Sequence, residues 1–398
     1  MRWQAKRLDE LGFVGRGKSR HRPRDAAHLY GGPYPFIQTG DVKHSELYVT
    51  SYTQIYSEAG LAQSKLWPRG TLCITIAANI AETAILDLDA CFPDSVIGFV
   101  ADEANCDARF IKYKFDTIKR QYQQVSQGAA QDNLSLEKLL AFTLSVPTTE
   151  VQRDIADILS AYDDLIENNR RRMVLLEESV RLLYREWFVR LRFPGHEHTR
   201  ISDGVPEGWE RKPLSALTTL LKRGIAPHYD DDAEGLVINQ KCIRDGRLNL
   251  NLARRQSREF NPERQVQVGD VLVNSTGEGT LGRVAQVKAP VEKCTVDTHV
   301  TIVRPRPGVG VHYFGASVMA WESQFSTMGR GATNQTELSP GQIGESEILL
   351  PPGTFTEQFE SVAEPLFRQV TNLTTQNDKA RAARDLLLPR LMSGDIPV

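Results

Sequence analysis

From residue 150 to 188 the apolar positions are Val151, Ile155, Ile158, Tyr162, Leu165, Met173, Leu176, Val180, Leu183 and Trp187. Steps of four and three alternate, the spacing of a coiled-coil seam. Asn169 occupies a seam position, and the four-plus-four step through it predicts a stutter that locally unwinds a supercoil. Such a helix would run on the order of 55 Å at 1.5 Å per residue. No isolated helix of that length is stable without a partner along its stripe. A second stripe near 356–392 supplies one: Phe359, Val362, Leu366, Val370, Leu373, Ala380 and Leu387, with Asn377 in the same part of this helix as Asn169 in the first. Antiparallel pairing is favoured, because a duplicated unit pairs naturally about a two-fold axis. The long stretch between the helices also leaves room for parallel pairing.

Outside the helices the pattern changes. Thr71-Leu72-Cys73-Ile74-Thr75-Ile76, opened by the Pro68-Arg69-Gly70 turn, predicts a short buried strand, and Ser95 to Val100 predicts another. Residues 109–122 predict a helix with Phe110, Tyr113, Ile118 and Tyr122 near one face. Val271-Leu272-Val273 and Val300-Thr301-Ile302-Val303 read as strands of a second globular segment. Turn chemistry fills 191–208, in Phe193-Pro194-Gly195-His196 and in Ser202 to Gly208, and predicts a linker.

These segments belong to one plan written twice. Trp3, Lys6, Leu8 and Leu11 recur as Trp209, Lys212, Leu214 and Leu217. Gly70-Thr71-Leu72-Cys73-Ile74 recurs as Gly269-Asp270-Val271-Leu272-Val273, and Asp94-Ser95-Val96 as Asp297-Thr298-His299-Val300. Each copy passes a proline (Pro147; Pro351 and Pro352) into its long helix. The period far exceeds the ~20–50 residues of a solenoid repeat. The expected organisation is a domain at 1–148, a long helix at 149–190, a linker at 191–208, a second domain at 209–350, and a distal helix and tail at 351–398. The expected fold class is α+β: two similar mixed α/β domains separated by two long antiparallel helices with pseudo-two-fold symmetry. A duplicated domain-plus-helix unit suits a protein that grips a two-part target.

Composition adds limits. The 398 residues leave room for two or three domains. At 40% hydrophobic and 25% charged, the chain has the make-up of a soluble globular protein. No apolar run reaches the roughly 18 residues of a membrane span, and Met1 to Lys6 does not open a secretory signal. The five cysteines form no CxxC pair, so reduced, packed thiols in a cytoplasmic protein are expected. A net charge of −2 is low for a nucleic-acid binder. Its distribution matters more. Arg16, Lys18, Arg20, Arg22 and Arg24 fall within nine residues, whereas acidic residues crowd elsewhere, as in Asp230-Asp231-Asp232. A near-neutral whole can carry a basic face.

Catalytic signatures are weak. Gly277-Glu278-Gly279-Thr280-Leu281-Gly282 matches GxGxxG after a strand, but Arg283 to Val287 alternates like a strand where a dinucleotide site needs a helix. The glycines read as a hairpin instead. The chain has no Asn-Pro-Pro-aromatic tetrapeptide. Asn239-Gln240-Lys241 is a poor imitation of a metal-dependent nuclease motif, and the eight histidines are scattered. The chemistry reads as a binder. Two rivals remain: a single-chain nuclease or DNA-modifying enzyme with a concealed site, and a pure assembly protein.

Pro147 to Ala156, continuing through Leu165-Ile166-Glu167-Asn168-Asn169-Arg170-Arg171 and closing on Leu182 to Phe188, resembles the central conserved region of the specificity subunits of type I restriction–modification enzymes. Leu386 to Ile396 resembles their distal conserved region. Pro206-Glu207-Gly208-Trp209 and Asn274 to Arg283 match at corresponding points of the second copy. The first copy departs there, with Ala77-Ala78-Asn79-Ile80-Ala81 in place of the glycine-rich turn. The resemblance covers essentially the whole chain. It implies a non-catalytic subunit whose two target-recognition domains each read half of a bipartite site in double-stranded DNA. The helices then act as a spacer and as the docking surface for two modification subunits. No cofactor is implied for this chain; S-adenosylmethionine belongs to the modification subunits, which methylate adenine. Restriction subunits with ATP-driven translocase and nuclease activity join such complexes. A ruler suits this task, because half-sites on one face of a duplex lie about 34 Å apart.

Base discrimination needs Arg or Lys for guanine and Asn or Gln for adenine, whereas phosphate contacts need only positive charge and N–H groups. Candidate DNA-binding residues in the first copy are Arg16, Lys18, Arg20, Arg22 and Lys43, with Gln131 and Asn133 in the 128–133 loop as readers. In the second they are Lys222, Arg223, Lys241, Arg244 and Arg330, with Asn334 and Gln335 as readers. Plain solvation is the competing reading for each cation. Apolar residues outside the seam, namely Leu159, Leu175, Leu182, Tyr184 and Phe188, are candidates for binding the modification subunits.

Overall fold

In the computed structural model, residues 3–77, 79–127, 135–329 and 337–398 are described, with 120–127 as backbone only. The chain forms two compact units: 1–169 with 375–398, and 170–374. Both cuts fall inside long helices, so each unit is a globular domain with its own lengths of both helices.

In the first unit a five-stranded sheet runs in the order Gly12–Arg16, Val96–Ala101, Leu72–Thr75, Thr83–Leu86, Tyr48–Val49. Its pairs are antiparallel except the last, which is parallel. All four residues of Leu72–Thr75 are buried, as a continuous apolar run predicts for a strand covered on both faces. The strand expected from Ser95 begins one residue later, because the Val96 amide donates to Pro93 O at 3.0 Å and Ser95 is spent in that turn. A second sheet orders Gln54–Tyr56, Tyr30–Phe36, Ala90–Cys91, Leu66–Trp67. Helix Ala108–Gln127 is longer at both ends than the apolar pattern marks. Asp107 starts it by accepting from the Arg109 amide at 2.8 Å, an N-cap that apolar counting overlooks.

The second unit repeats this topology. Thr218–Arg223, Val300–Pro305, Val271–Asn274 and Val284–Gln286 form its main sheet. Arg254–Gln256, Gly235–Ile238 and Cys294–Val296 form the smaller one. In each unit the central strand of the smaller sheet has one antiparallel and one parallel neighbour. Each domain's first strand also pairs with its last: Gln4–Arg7 with Thr143–Val146, and Glu210–Pro213 with Glu347–Leu350. The duplication read from the sequence is therefore a duplication of fold.

The long helices are Thr149–Tyr184, closed by a π-helical turn at Arg185–Val189, and Gly353–Ser393. Within the first unit Ile155 and Leu159 share a core with Leu391 and Met392. Asp163 meets Arg384, and Asn169 Nδ2 donates to Asn377 Oδ1 at 3.0 Å. Numbers rise on one helix as they fall on the other, so the segments run antiparallel. The same holds within the second unit, where Thr374 Oγ1 reaches Met173 Sδ at 3.3 Å and the Tyr184 and Phe359 rings lie 6.3 Å apart.

The inward stripe of the first helix differs from the expected seam. Gln152, Ile155, Ala156, Leu159, Asp163, Ile166, Asn169, Val180, Tyr184 and Phe188 are buried, while Ile158 and Leu165 are exposed. The step from Ile166 to Asn169 is three residues, so the predicted four-plus-four stutter is absent. Apolar counting chose Tyr162 and passed over Asp163, which rotates the stripe by one residue. On the second helix Ala363 is buried where Val362 was expected. The expected linker is also packed. Phe193 and Trp209 are buried, and Ile201–Ser202 pairs with Val205–Pro206 around Asp203 and Gly204, both at positive φ, as a two-residue hairpin turn requires.

Candidate nucleic-acid interface

In the first unit, strand Gly12–Arg16 leads into an exposed basic segment clamped by residues 63 and 64. Gln63 Oε1 accepts from the amides of Arg20 and His21, and Ser64 Oγ donates to Lys18 O at 2.8 Å. The cations of this segment are unequally available. Arg16 Nε donates to Asp94 O. Arg22 turns back on its own loop, donating to Ser19 O at 2.7 Å and His21 O at 2.8 Å. Arg24 pairs with Asp94 at 2.9 Å. Lys18 and Arg20 are exposed and make no ion pair among the described residues. Lys43 reaches Asn79 Oδ1 at 3.0 Å. Gln131 and Asn133 lie outside the described residues.

In the second unit Lys222 is paired with Glu263 at 2.9 Å. Arg223 is held by Glu337 at 2.5 Å and by Leu338 O at 3.1 Å. Both are tied to their own domain. Lys241 and Arg244 are exposed. Among the described residues Arg244 pairs only with the adjacent, exposed Asp245 at 3.6 Å, a contact of little weight in water. Arg330, Asn334 and Gln335 lie outside the described residues.

Sequence reading missed two further cations. Lys65 lies over the Phe13 and Trp67 rings, and Arg254 lies 3.4 Å from the centroid of Tyr229. For Arg254 the signal was available: residues 241–264 carry seven basic and three acidic side chains. For Lys65 nothing in the local sequence marks it.

The glycine-rich turn joins antiparallel strands Val271–Asn274 and Val284–Gln286, as a hairpin does. A Cβ on Gly282 would lie 2.3 Å from Ser326 N, so this glycine is needed for packing against helix Glu322–Met328. Asn274 Nδ2 closes the turn through Gln240 O at 3.0 Å and Thr280 O at 3.1 Å. The turn packs on its own domain. No group of three or more His, Cys, Asp or Glu among the described residues is placed to hold a metal ion. None of the described helices is long and apolar enough to cross a membrane.

Three of the helix residues expected to bind modification subunits are buried instead. Leu159 is fully buried in the first unit's core. Tyr184 and Phe188 are buried with Val180, Trp209, Tyr313 and Phe359 in the second unit. They lie on the inward stripe that the one-residue rotation displaced. Leu175 and Leu182 remain exposed, the former at 67%. Val174 and Val189 on the same helix are also exposed, as is Leu386 on the other.

Residues 1–178, the first domain with most of its outgoing helix, match the type I restriction modification DNA specificity domain. The first copy of the duplicated fold is thus similar to a DNA specificity domain. Over its whole length the chain is similar to curated specificity subunits of type I restriction enzymes. It is 24% identical over 418 residues to the MjaIX specificity subunit of Methanocaldococcus jannaschii, covering 100% of this chain and 94% of that one. It is 20% identical over 470 residues to the HindI specificity subunit of Haemophilus influenzae, covering 97% and 98%. A crystal structure of a type I restriction-modification S subunit from M. genitalium shares the fold. It has a TM-score of 0.61 and 14% identity, and covers 98% of this chain and 96% of that one.

Proposed function

We propose that this chain is the DNA-recognition subunit of a type I restriction–modification complex and carries out no chemistry of its own. Each domain reads one half of a bipartite duplex site, and the exposed faces of the long helices dock two modification subunits. Those partners bind S-adenosylmethionine and methylate adenine. Restriction subunits join the same assembly, in the cytoplasm. The observation that carries this reading is the duplication of one topology, each copy bearing exposed cations, on continuous helices shared by both units.

The cations work through the phosphate backbone first. Each neutralised phosphate releases counterions, so affinity falls steeply as salt rises. The complex with modification subunits is expected to shift a duplex containing its site and to release it between about 50 and 200 mM salt. An assembly protein without a DNA role would show no shift. A single-chain enzyme would cleave or methylate DNA without any partner.

Lys18 and Arg20 carry this test to single residues. The Lys18→Ala/Arg20→Ala variant is expected to lose at least tenfold in affinity for cognate and scrambled duplexes alike, measured by fluorescence anisotropy at fixed salt. Unchanged affinity would remove the segment from the interface. On the helices, Leu175→Asp/Leu182→Asp is expected to keep the wild-type melting temperature, because both side chains are exposed, and to stop co-elution with modification subunits. Normal co-elution would place docking elsewhere.

A further inference from the structure

Lys65 occupies an unusually fixed position for a lysine with no carboxylate partner among the described residues. Its Nζ lies 3.6 Å from the Trp67 ring centroid and 4.4 Å from that of Phe13, within the range of cation–π attraction. Trp67 is itself immobilised. It is 1% exposed and stacks on Phe92 with centroids 4.9 Å apart. Its other support is a flat bed of backbone. Gly15 and Gly98 face each other across strands Gly12–Arg16 and Val96–Ala101. A Cβ on Gly98 would come within 2.7 Å of the indole, and one on Gly15 within 2.9 Å. Two glycines from distant parts of the chain therefore set the indole, and the indole sets the ammonium.

Neither Lys65 nor the adjacent Lys18 has an acidic partner among the described residues. Lys18 lies next to this group, its carbonyl held by Ser64, the residue before Lys65. Burial and then the charge of Lys18 hold the Lys65 ammonium below its ordinary pKa, a penalty that a bound anion would relieve. Phe13, on the edge strand that continues into the Arg16–Arg22 segment, is 57% exposed. An exposed ring beside two cations without acidic partners fits a polyanion that also has apolar surface, which describes the sugar-phosphate chain of a duplex.

We propose that Phe13, Lys65 and Trp67, together with Lys18, form a phosphodiester-binding site of the first domain. Lys65 holds a backbone phosphate and Phe13 packs on the adjoining deoxyribose. The ammonium is a point charge and the ring tolerates any sequence, so the site sets the position of the duplex without reading bases. This inference rests on the DNA-recognition reading given above.

The test uses the complex of the full chain with its modification subunits, with binding to cognate and scrambled duplexes measured across salt. Lys65→Gln is expected to reduce the slope of log affinity against log salt by about 0.9, and to weaken both duplexes about fivefold at ~0.15 M salt. Lys65→Arg is expected to restore the slope, and Phe13→Ala to weaken both duplexes without changing it. An unchanged slope in Lys65→Gln, while wild type binds its site with steep salt dependence, overturns this inference and leaves the recognition reading standing. A loss confined to the cognate duplex, or a loss of co-elution with the modification subunits, also overturns it. Wild type binding no DNA would remove both.

Discussion

Replacing Arg384 by methionine is expected to destabilise the first unit by about 3–5 kcal/mol, the cost of leaving a buried charge unpaired. Asp163 is 2% exposed on the inward face of its helix. Its carboxylate is held by the Arg384 guanidinium and by the Tyr113 hydroxyl, which donates to it at 2.5 Å. Arg384 also meets Glu46 at 3.2 Å. Truncating Arg384 removes the cation and leaves a buried carboxylate without its ion-pair partner. Replacing the buried group is different: Asp163→Leu/Arg384→Met/Tyr113→Phe removes the buried carboxylate, its cation and its hydroxyl donor together, leaving Glu46 and Asp385 at the more exposed margin, and is expected to recover most of the loss, since buried ion pairs often do no better than apolar groups of similar volume. Urea unfolding of the three proteins checks this. A cost below about 1 kcal/mol for Arg384→Met would mean that Asp163 is hydrated in the folded chain.

Phe188→Ala is expected to cost about 3–5 kcal/mol as well, through lost burial and the cavity left behind. The ring lies 4.8 Å from Tyr313, 5.4 Å from Phe359 and 5.8 Å from Trp209, centroid to centroid. These groups come from the first helix, the second helix and the second domain, so one side chain ties three segments of the unit together. Below its lowered melting temperature the variant should still bind modification subunits. If Phe188 were a docking residue, the result would be reversed: near-normal stability and no co-elution.

These two positions also show where the sequence is legible and where it is not. Leu72–Thr75 and Val271–Asn274 could be found because each strand is buried and opens on three successive apolar residues. The repeat could be found because both copies kept those strands and the turns before them. The helix stripe was legible only to within one residue. Its period is set by apolar residues, but its phase depends on Asp163, Asn169, Asn377 and Arg384, polar residues that face inward in pairs. A hydrophobic count placed Asn169 on the seam but read Asp163 as outward-facing, which is how Phe188 and Tyr184 were taken for surface.

Cations were harder to read. Sequence shows where charge is placed but not whether it is already paired. Arg22, Lys222 and Arg223 look the same as Lys18 and Lys241 until the fold brings Ser19 O, Glu263 and Glu337 to them. Lys65 carries the reverse lesson: its neighbours Phe13, Gly15 and Gly98 lie far away in the chain, so only the folded sheet reveals it.

The most direct test of the central claim is sequencing that detects methylated bases in host DNA, with and without this gene. The account predicts one two-part motif, an uncontacted gap between its halves, whose adenines are methylated when the gene is present and unmethylated when it is deleted. Exchanging residues 209–350 for those of another specificity subunit should change one half of the motif and leave the other intact. An identical methylation pattern with and without the gene would contradict the account.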